Sequence, residues 1–524
     1  MIRAGGGHNP WLVAPVVAMA AFMEVLDISI ANVALQHIAG DLSASQDEST
    51  WILTSYLVTN AIVLPMSGWL SAVMGRKRFF LVCITAFSIA SLLCGLAPSL
   101  GVLIVFRALQ GLAGGGLQPL AQAILTDAFP AEKRGMAFAL FGMSVVLAPA
   151  IGPTLGGWIT DSASWRWVFL INVPVGAALV PLVTAMIADP PHAVAARAER
   201  LKRGIRIDWI GFGLLTLWIG SAQIALDKGQ QDDWLASPLI ATLAVVAAVG
   251  LIAFVIWELG EDDPIVDVRL LADRNFAAAN ALMLALGTVL FSTTVLLPLL
   301  VQSFFGYTAT LAGLVITPGG VTILFLMPLV GRMMSRVDVR WMILAGLLIN
   351  AYALHRMAGF SAGTDYATFA EARIIQAAGL SLLFIPINTL ASVGLPKEKT
   401  NEASALINLS RNLGGSVGIS AVVTMLSRYG QAHQTVLAAH AYSGSPAYRQ
   451  ALQGMAAALA GHGASLAEAA HQAQAHAYGA ILGQASLLAF LDDFNLMAAL
   501  FLAFIPLILL MRRPDLGGSP GPAH

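Results

Sequence analysis

Long apolar runs alternate with short polar stretches along almost the whole chain. A run of about 20 apolar residues is long enough to cross the hydrocarbon core of a bilayer as a helix. On this pattern the sequence predicts fourteen spans, at 12–34, 50–70, 79–98, 101–124, 136–160, 167–188, 209–226, 238–257, 276–300, 308–330, 341–358, 368–390, 405–427 and 493–511. Two polar stretches are long. Residues 189–208 form a basic linker. Residues 428–492, rich in Ala, Gln and His, favour helix and read as a hairpin outside the membrane, broken at Gly444, Ser445 and Pro446. Residues 512–524 read as a disordered tail.

Composition sharpens this into an integral membrane protein. Only 11% of residues are charged, against about 25% in a soluble domain. With the N-terminus inside, twenty of the 28 Lys and Arg fall in cytoplasmic segments and five on the other side. That bias supports both termini in the cytoplasm and an even number of spans. Glu24 and Asp27 make the first run a retained helix rather than a cleaved leader. The formal net charge of -1 gives no sign of nucleic-acid binding. No phosphate-binding loop, zinc-protease motif or nucleophile elbow occurs. The reading is therefore not an enzyme and without cofactor, powered by an ion gradient or by the solute's own gradient. Cys83 and Cys94 alone form no disulfide scaffold. His433, His440, His462, His471 and His476 match no usual metal spacing and read as a solvated helix face.

The chain also repeats itself. Pro65, Gly68 and Lys77 of "PMSGWLSAVMGRKRFFL" match Pro328, Gly331 and Arg340 at an offset of 263, and "RALQG" at 107–111 matches "RIIQA" at 373–377 at an offset of 266. Two related helical bundles follow, with two helices inserted between them. Duplicated halves around a midplane site mark many transporters.

Ionisable groups inside the spans carry the candidate chemistry, because each costs roughly 2.5–3.5 kcal/mol at a helix centre. Asp27 is the foremost, with Glu24 one turn earlier on the same face. Arg107 lies at a matching depth of about 10 Å in the fourth span and is the predicted partner of Asp27. Arg373 is the repeat-mate of Arg107, and Glu371 and Arg411 add further candidates for buried charge. In "LAPAIGPTLGGW", Ala148, Gly152 and Gly156 form a small-residue face for close packing. Pro149 and Pro153 should bend that helix, and Gly157 follows the face. Gly68, Gly75 and Arg76 mark the loop between the second and third spans as a tight turn with a basic anchor and a candidate gate.

Together these motifs resemble the fourteen-helix drug:proton antiporters of the major facilitator superfamily, and the EmrB-type multidrug efflux permeases above all. The likeness rests on "LDISIANVAL", "GWLSAVMGRKRFF", "RALQG", "APAIGPTLGGW", "WRWVFLINVPVG", "ALDKGQQDDW", "PIVDVRLL", "GYTATLAG" and "SRNLGGSVG", in order along the chain. The resemblance implies a major facilitator fold. Residues 1–188 would form one six-helix bundle, 209–257 two inserted helices, and 258–511 a second six-helix bundle. It also implies proton-driven export of hydrophobic drugs and uncouplers across the inner membrane, and docking to a periplasmic adaptor and an outer-membrane channel. Asp27 and Arg107 are then coupling residues and the fifth-span glycines the antiport element, while Glu24 departs from the family, where a neutral residue is common, and is a candidate second proton site or a source of preference for cationic substrates. The chain departs from the loop motif at Ala72 and Val73, where Asp and Arg are usual. The expected function is a proton-coupled antiporter for small hydrophobic or amphipathic compounds. The rivals are an exporter of one dedicated metabolite, a channel, and a receptor using the outer loop.

Overall fold

The computed structural model describes residues 9–203, 208–334, 336–392, 395, 399–442, 444–462 and 465–511. Among them the regular structure is helical. In order the α-helices are α1 (Pro10–Asp41), α2 (Gln46–Ser49), α3 (Trp51–Met74), α4 (Arg76–Gly95), α5 (Leu100–Gly114), α6 (Leu117–Ala128), α7 (Ala131–Ser162), α8 (Arg166–Leu170), α9 (Asn172–Met186), α10 (Pro191–Arg203), α11 (Trp209–Lys228), α12 (Pro238–Gly260), α13 (Arg274–Ser303), α14 (Ala309–Met333), α15 (Val339–Met357), α16 (Tyr366–Ser392), α17 (Thr400–His440), α18 (Pro446–Gly461), α19 (Leu466–Ala503) and α20 (Leu507–Leu510).

Among the described residues eleven helical stretches are long and apolar enough to cross a membrane. A twelfth is α7, if Lys133–Pro149 and Ile151–Ser162, bent by 46°, count as one span. The bend sits where Pro149 and Pro153 interrupt the donor ladder, as the sequence predicts. The more polar α15, with Asn350, His355 and Arg356, and α17, with Asn401, Asn408 and Arg411, fall outside that set.

The repeat is visible in the packing. α5 and α6 begin at Leu100 and end at Ala128, and α16 covers the positions 266 later, up to Ser392, as one helix. Gln122 and Asn388 are themselves 266 apart, and Gln122 Nε2 donates to Asn388 Oδ1 at 2.9 Å. Equivalent positions that touch each other lie on the pseudo-twofold axis relating the repeats. The same symmetry places Gly68 of α3 against the start of α17, where a Cβ would fall 2.9 Å from Glu402 Cα. Its repeat-mate Gly331 of α14 meets the start of α7, where a Cβ would fall 2.8 Å from the Gly135 carbonyl oxygen. Glycine at both places lets the backbones cross that closely.

α11 and α12 pack on each other, and the end of α11 touches both repeats. Lys228 Nζ donates to Thr50 Oγ1 of the segment leading into α3, while Ser420 of α17 donates to the Leu226 carbonyl at 2.7 Å. The linker is partly helical: α10 lies beside α3, and Arg197 Nε donates to the Val73 carbonyl at 2.9 Å. At the far end α17 and α19, of 41 and 38 residues, run to about 60 Å each and pack with α18 into an arm. The predicted break falls between α17 and α18. α19, however, runs without interruption from the hairpin through the predicted start of the last span at 493, because Leu466 to Ala503 contains no Pro and is rich in Ala and Leu. His433 in this arm is not merely solvated: its Nε2 lies 2.6 Å from Asp492 Oδ2. The tail predicted as disordered, 512–524, and linker residues 204–207 lie outside the described residues.

Candidate functional site

Asp27 sits in the middle of α1, 1% exposed, facing α5 and α9. Arg107 Nη1 donates to its Oδ2 at 2.6 Å. Gln110 Nε2 and Asn172 Nδ2 donate to its Oδ1 at 2.9 and 2.7 Å. Arg107 is fully buried, gives its Nε to the Ile52 carbonyl at 3.2 Å, and lies over the rings of Tyr56 and Phe169. The matched depths therefore correspond to contact. A buried ion pair is tolerable only when the remaining polar atoms are also bonded, and here Gln110, Asn172 and Ser91 do most of that. Arg107 Nη2 is left without a hydrogen-bond partner.

Glu24 does not join this cluster. It turns toward α3, where Asn60 Nδ2 donates to its Oε1 at 3.0 Å, and among the described residues its Oε2 has no hydrogen-bond partner. Across the repeat boundary, Arg411 of α17 is 1% exposed and donates to Gln118 of α6. Asn408 Nδ2 donates to Gln122 Oε1 at 2.8 Å. Gln118, Gln122, Asn388 and Asn408 thus form a polar centre where the repeats meet. Thr126, Phe138 and Ser404 extend its lining towards one end of the bundle.

The proline-glycine face of α7 packs on α1 directly beyond Asp27. A Cβ on Gly152 would overlap the Ser29 side chain, and one on Gly156 would lie 3.0 Å from Ile30 Cγ2. Ser29 Oγ donates to the Pro149 carbonyl at 3.4 Å. Gly157 faces open space. We expect Gly152→Ala to destabilise the protein by about 1–3 kcal/mol through overpacking. Ser29→Gly should recover most of that loss, since the side chain being struck is then gone. Thermal unfolding of the four proteins of that double-mutant cycle reads the coupling. Equal melting temperatures for wild type and Gly152→Ala would show that α1 and α7 are not this tightly packed.

At the end of the bundle bearing Arg76, Gly75 has φ +92°, a conformation open to glycine, and turns α3 into α4. Arg76 is buried and ion-paired to Asp127 of α6. Asp189 Oδ1 accepts from the Lys77 backbone N–H at 2.8 Å, and Arg197 lies alongside. Asp189 and the linker helix thus bring an acid and a base to the turn where Ala72 and Val73 have none. Arg373 is buried, as the sequence predicts. Glu371 is not: its side chain is 55% exposed and pairs with Arg356 at 3.2 Å. It lies in the second turn of α16, two residues and so about 200° around the helix from Arg373.

Sequence reasoning did not single out Asn60, Gln118, Gln122, Asp127, Asn172, Asn388 or Asn408. An Asn or Gln inside an apolar run is a weak signal, because its insertion cost is small. Gly414 and Gly418 of "SRNLGGSVG" were likewise not singled out, though they bring α17 onto Leu284 and Thr288 of α13.

A multi-helix membrane bundle, duplicated about a central axis with a buried ion pair inside one of the repeats, is the build of a secondary transporter. The family model described as Major Facilitator Superfamily matches residues 17–419. The chain belongs to that superfamily and, within it, to the EmrB-type permeases. It is 38% identical to the multidrug export protein EmrB of Escherichia coli K12 over 513 residues, 97% of this chain and 96% of that one. It is 37% identical to the fatty acid resistance protein FarB of Neisseria gonorrhoeae over 508 residues, 96% of each. Among solved structures, the human organic anion transporter MFSD10 superposes with a TM-score of 0.58 at 11% identity, over 96% of this chain and all of that one. The proton:xylose symporter XylE superposes with a TM-score of 0.58 at 15% identity, over 95% of this chain and 96% of that one. At these identities the two structures speak to the fold alone.

Proposed function

We propose that this protein is a proton-coupled antiporter that exports small hydrophobic or amphipathic compounds across the inner membrane by alternating access. The observation that carries the reading is the buried Asp27–Arg107 pair, placed two residues before Ser29, where α7 bears on α1. A proton arriving at Asp27 Oδ2 displaces Arg107 Nη1 and removes the negative charge that also holds Gln110 and Asn172. α1 is then free to shift against α5 and α9, and its contact with α7 at Ser29 carries that shift to the α7–α14 contact between the repeats. The polar centre of Gln118, Gln122, Asn388, Asn408 and Arg411 lies on the route a substrate takes. Glu24 faces that centre and is a second candidate proton or cation site. The relatives named for multidrug export and for fatty acid resistance are in keeping with lipophilic substrates. One charge moved through about 150 mV supplies roughly 3.5 kcal/mol, enough for a gradient of a few hundredfold.

On this reading fourteen helices cross the membrane: two six-helix bundles, at 1–188 and 258–511, and the inserted pair at 209–257. The basic end carrying Gly75 and Arg76 faces the cytoplasm with both termini, and its α3–α4 turn is a gate. The arm formed by 428–492 faces outward. It has only Arg428, Arg449 and Glu468 as charged residues before Asp492, a surface suited to a periplasmic adaptor leading to an outer-membrane channel.

Proteoliposomes with an imposed pH gradient and a panel of lipophilic dyes test the proposal. Dye should move against the proton flux and stop when a protonophore collapses the gradient. Dye movement indifferent to the pH gradient would remove the antiport assignment.

A further inference from the structure

The Asp27 site has a counterpart in the second repeat with its carboxylate missing. Adding 266 to Asp27, Arg107 and Gln110 gives Thr293 of α13 and Arg373 and Gln376 of α16. These three side chains are assembled as their repeat-mates are. Gln110 Nε2 reaches Asp27 Oδ1 at 2.9 Å, and Gln376 Nε2 reaches Thr293 Oγ1 at 3.1 Å. Arg107 Nη1 donates to Gln110 Oε1, and Arg373 Nη1 donates to Gln376 Oε1. They differ where charge is concerned. Arg107 Nη1 meets the Asp27 carboxylate at 2.6 Å, whereas Arg373 Nη1 meets only the Thr293 hydroxyl, at 3.4 Å.

Arg373 is therefore a buried cation without a counter-charge. It is 5% exposed, with Gln376 and Thr293 fully buried. Among the described residues it forms no ion pair, and its Nε has no hydrogen-bond partner. A guanidinium keeps its proton in proteins, so the charge is not lost by titration. An uncompensated ion in a dry interior costs several kcal/mol. The Arg373 side chain lies directly against α14 at Gly319, where a Cβ would fall 2.8 Å from Arg373 Cγ and 3.2 Å from Nε. Any side chain there would press on the unpartnered Nε.

We infer that Arg373, Gln376 and Thr293 form a binding site for a monovalent anion, which takes the place that the Asp27 carboxylate occupies in the first repeat. The guanidinium supplies the charge and its unpartnered Nε–H, and the Gln376 amide supplies a neutral donor, while the Thr293 hydroxyl, which gives its proton to the Val289 carbonyl at 2.8 Å, holds that amide in place. The anion is either an inorganic ion such as chloride or the carboxylate end of an organic molecule. Binding there neutralises the second repeat as Asp27 neutralises the first, and it does not depend on which substrate is exported.

The test uses the purified full-length protein in detergent, at constant ionic strength, with sodium methanesulfonate, which has no carboxylate, replaced stepwise by sodium chloride or by sodium acetate. The melting temperature should rise saturably. A rise with chloride alone assigns the site to an inorganic anion, and a rise with acetate alone assigns it to a carboxylate; a rise with both assigns it to charge, and each supports the inference. Thr293→Asp restores a carboxylate in place and should abolish the anion dependence while raising the melting temperature in methanesulfonate. Arg373→Gln should abolish it without that gain. If one variant does not fold, the other decides. No saturable rise in the wild type, or a rise that survives in the variants, would overturn the site.

Discussion

Asp27→Asn should lose pH-gradient-driven efflux to the level of empty vesicles, while still inserting and still binding substrate. The geometry gives the reason. Asp27 Oδ1 accepts from Gln110 and Asn172, and Oδ2 accepts from Arg107. In the variant, Asn can keep its carbonyl oxygen toward Gln110 and Asn172, but its amide N–H then points at the Arg107 donor. Two donors face each other, and the buried guanidinium loses its counter-charge. Breaking a buried pair from one side costs about 3–5 kcal/mol, so a lowered melting temperature is expected as well. Stability alone does not test coupling. The discriminating readout is substrate binding measured beside efflux. Binding retained with efflux lost assigns Asp27 to coupling, and both lost with an unfolded protein assigns it to structure. Full gradient-driven efflux by Asp27→Asn would sink the assignment.

How much of this was open to a reader of the sequence depends on the cost of each residue where it lies. Asp27 and Arg107 stand out because a charge in an apolar run is expensive, and their depths alone bring them to one level. Arg373 and Arg411 stand out for the same reason. The partners that make Asp27 tolerable, Gln110, Asn172 and Ser91, come from three other helices, and nothing along the chain orders those helices side by side. Glu371 is misread because a span boundary uncertain by one turn decides whether a residue lies in the bundle or at its rim. The turn at Gly75 reads correctly as a tight turn, but Gly68, read as part of it, lies inside α3 and packs on the start of α17. That Asp189 and Arg197 fold back onto the turn is not legible, because a linker's path is set by tertiary contacts. The offset of 266 is legible at Arg107 and Arg373. Its extension to Asp27 and Thr293 needs the structure, since "LDISIANVAL" and the residues around Thr293 share almost no identity. The equivalence lies in what the two side chains touch.

The second large effect is expected at Arg76. The sequence allows two roles for the cluster Arg76–Lys77–Arg78: a set of interchangeable charges that fixes orientation, or a specific cation within a gate. These separate cleanly. A cation acting only on orientation is backed up by its neighbours, and Arg76→Met would then cost nothing. In the structure the three are not equivalent. Lys77 donates from Nζ to the Thr184 carbonyl at 2.6 Å, Arg78 is exposed, and Arg76 is buried in an ion pair with Asp127. The Arg76 and Asp127 side chains are 4% and 12% exposed. Solvent screening is therefore slight, and removing the guanidinium leaves the Asp127 charge where water does not reach it. Arg76→Met should cost about 3–5 kcal/mol, and Arg76→Met with Asp127→Leu should recover most of that, because apolar residues of similar volume replace a buried pair at little cost. Differential scanning fluorimetry of the wild type, the two single variants and the double variant measures the stability part. Transport by the double variant measures the rest. If it is as stable as wild type yet leaks substrate down its gradient, the pair holds the α4–α6 contact shut as part of a gate. If it transports normally, the pair only fastens two helices, and the gate lies elsewhere in the turn.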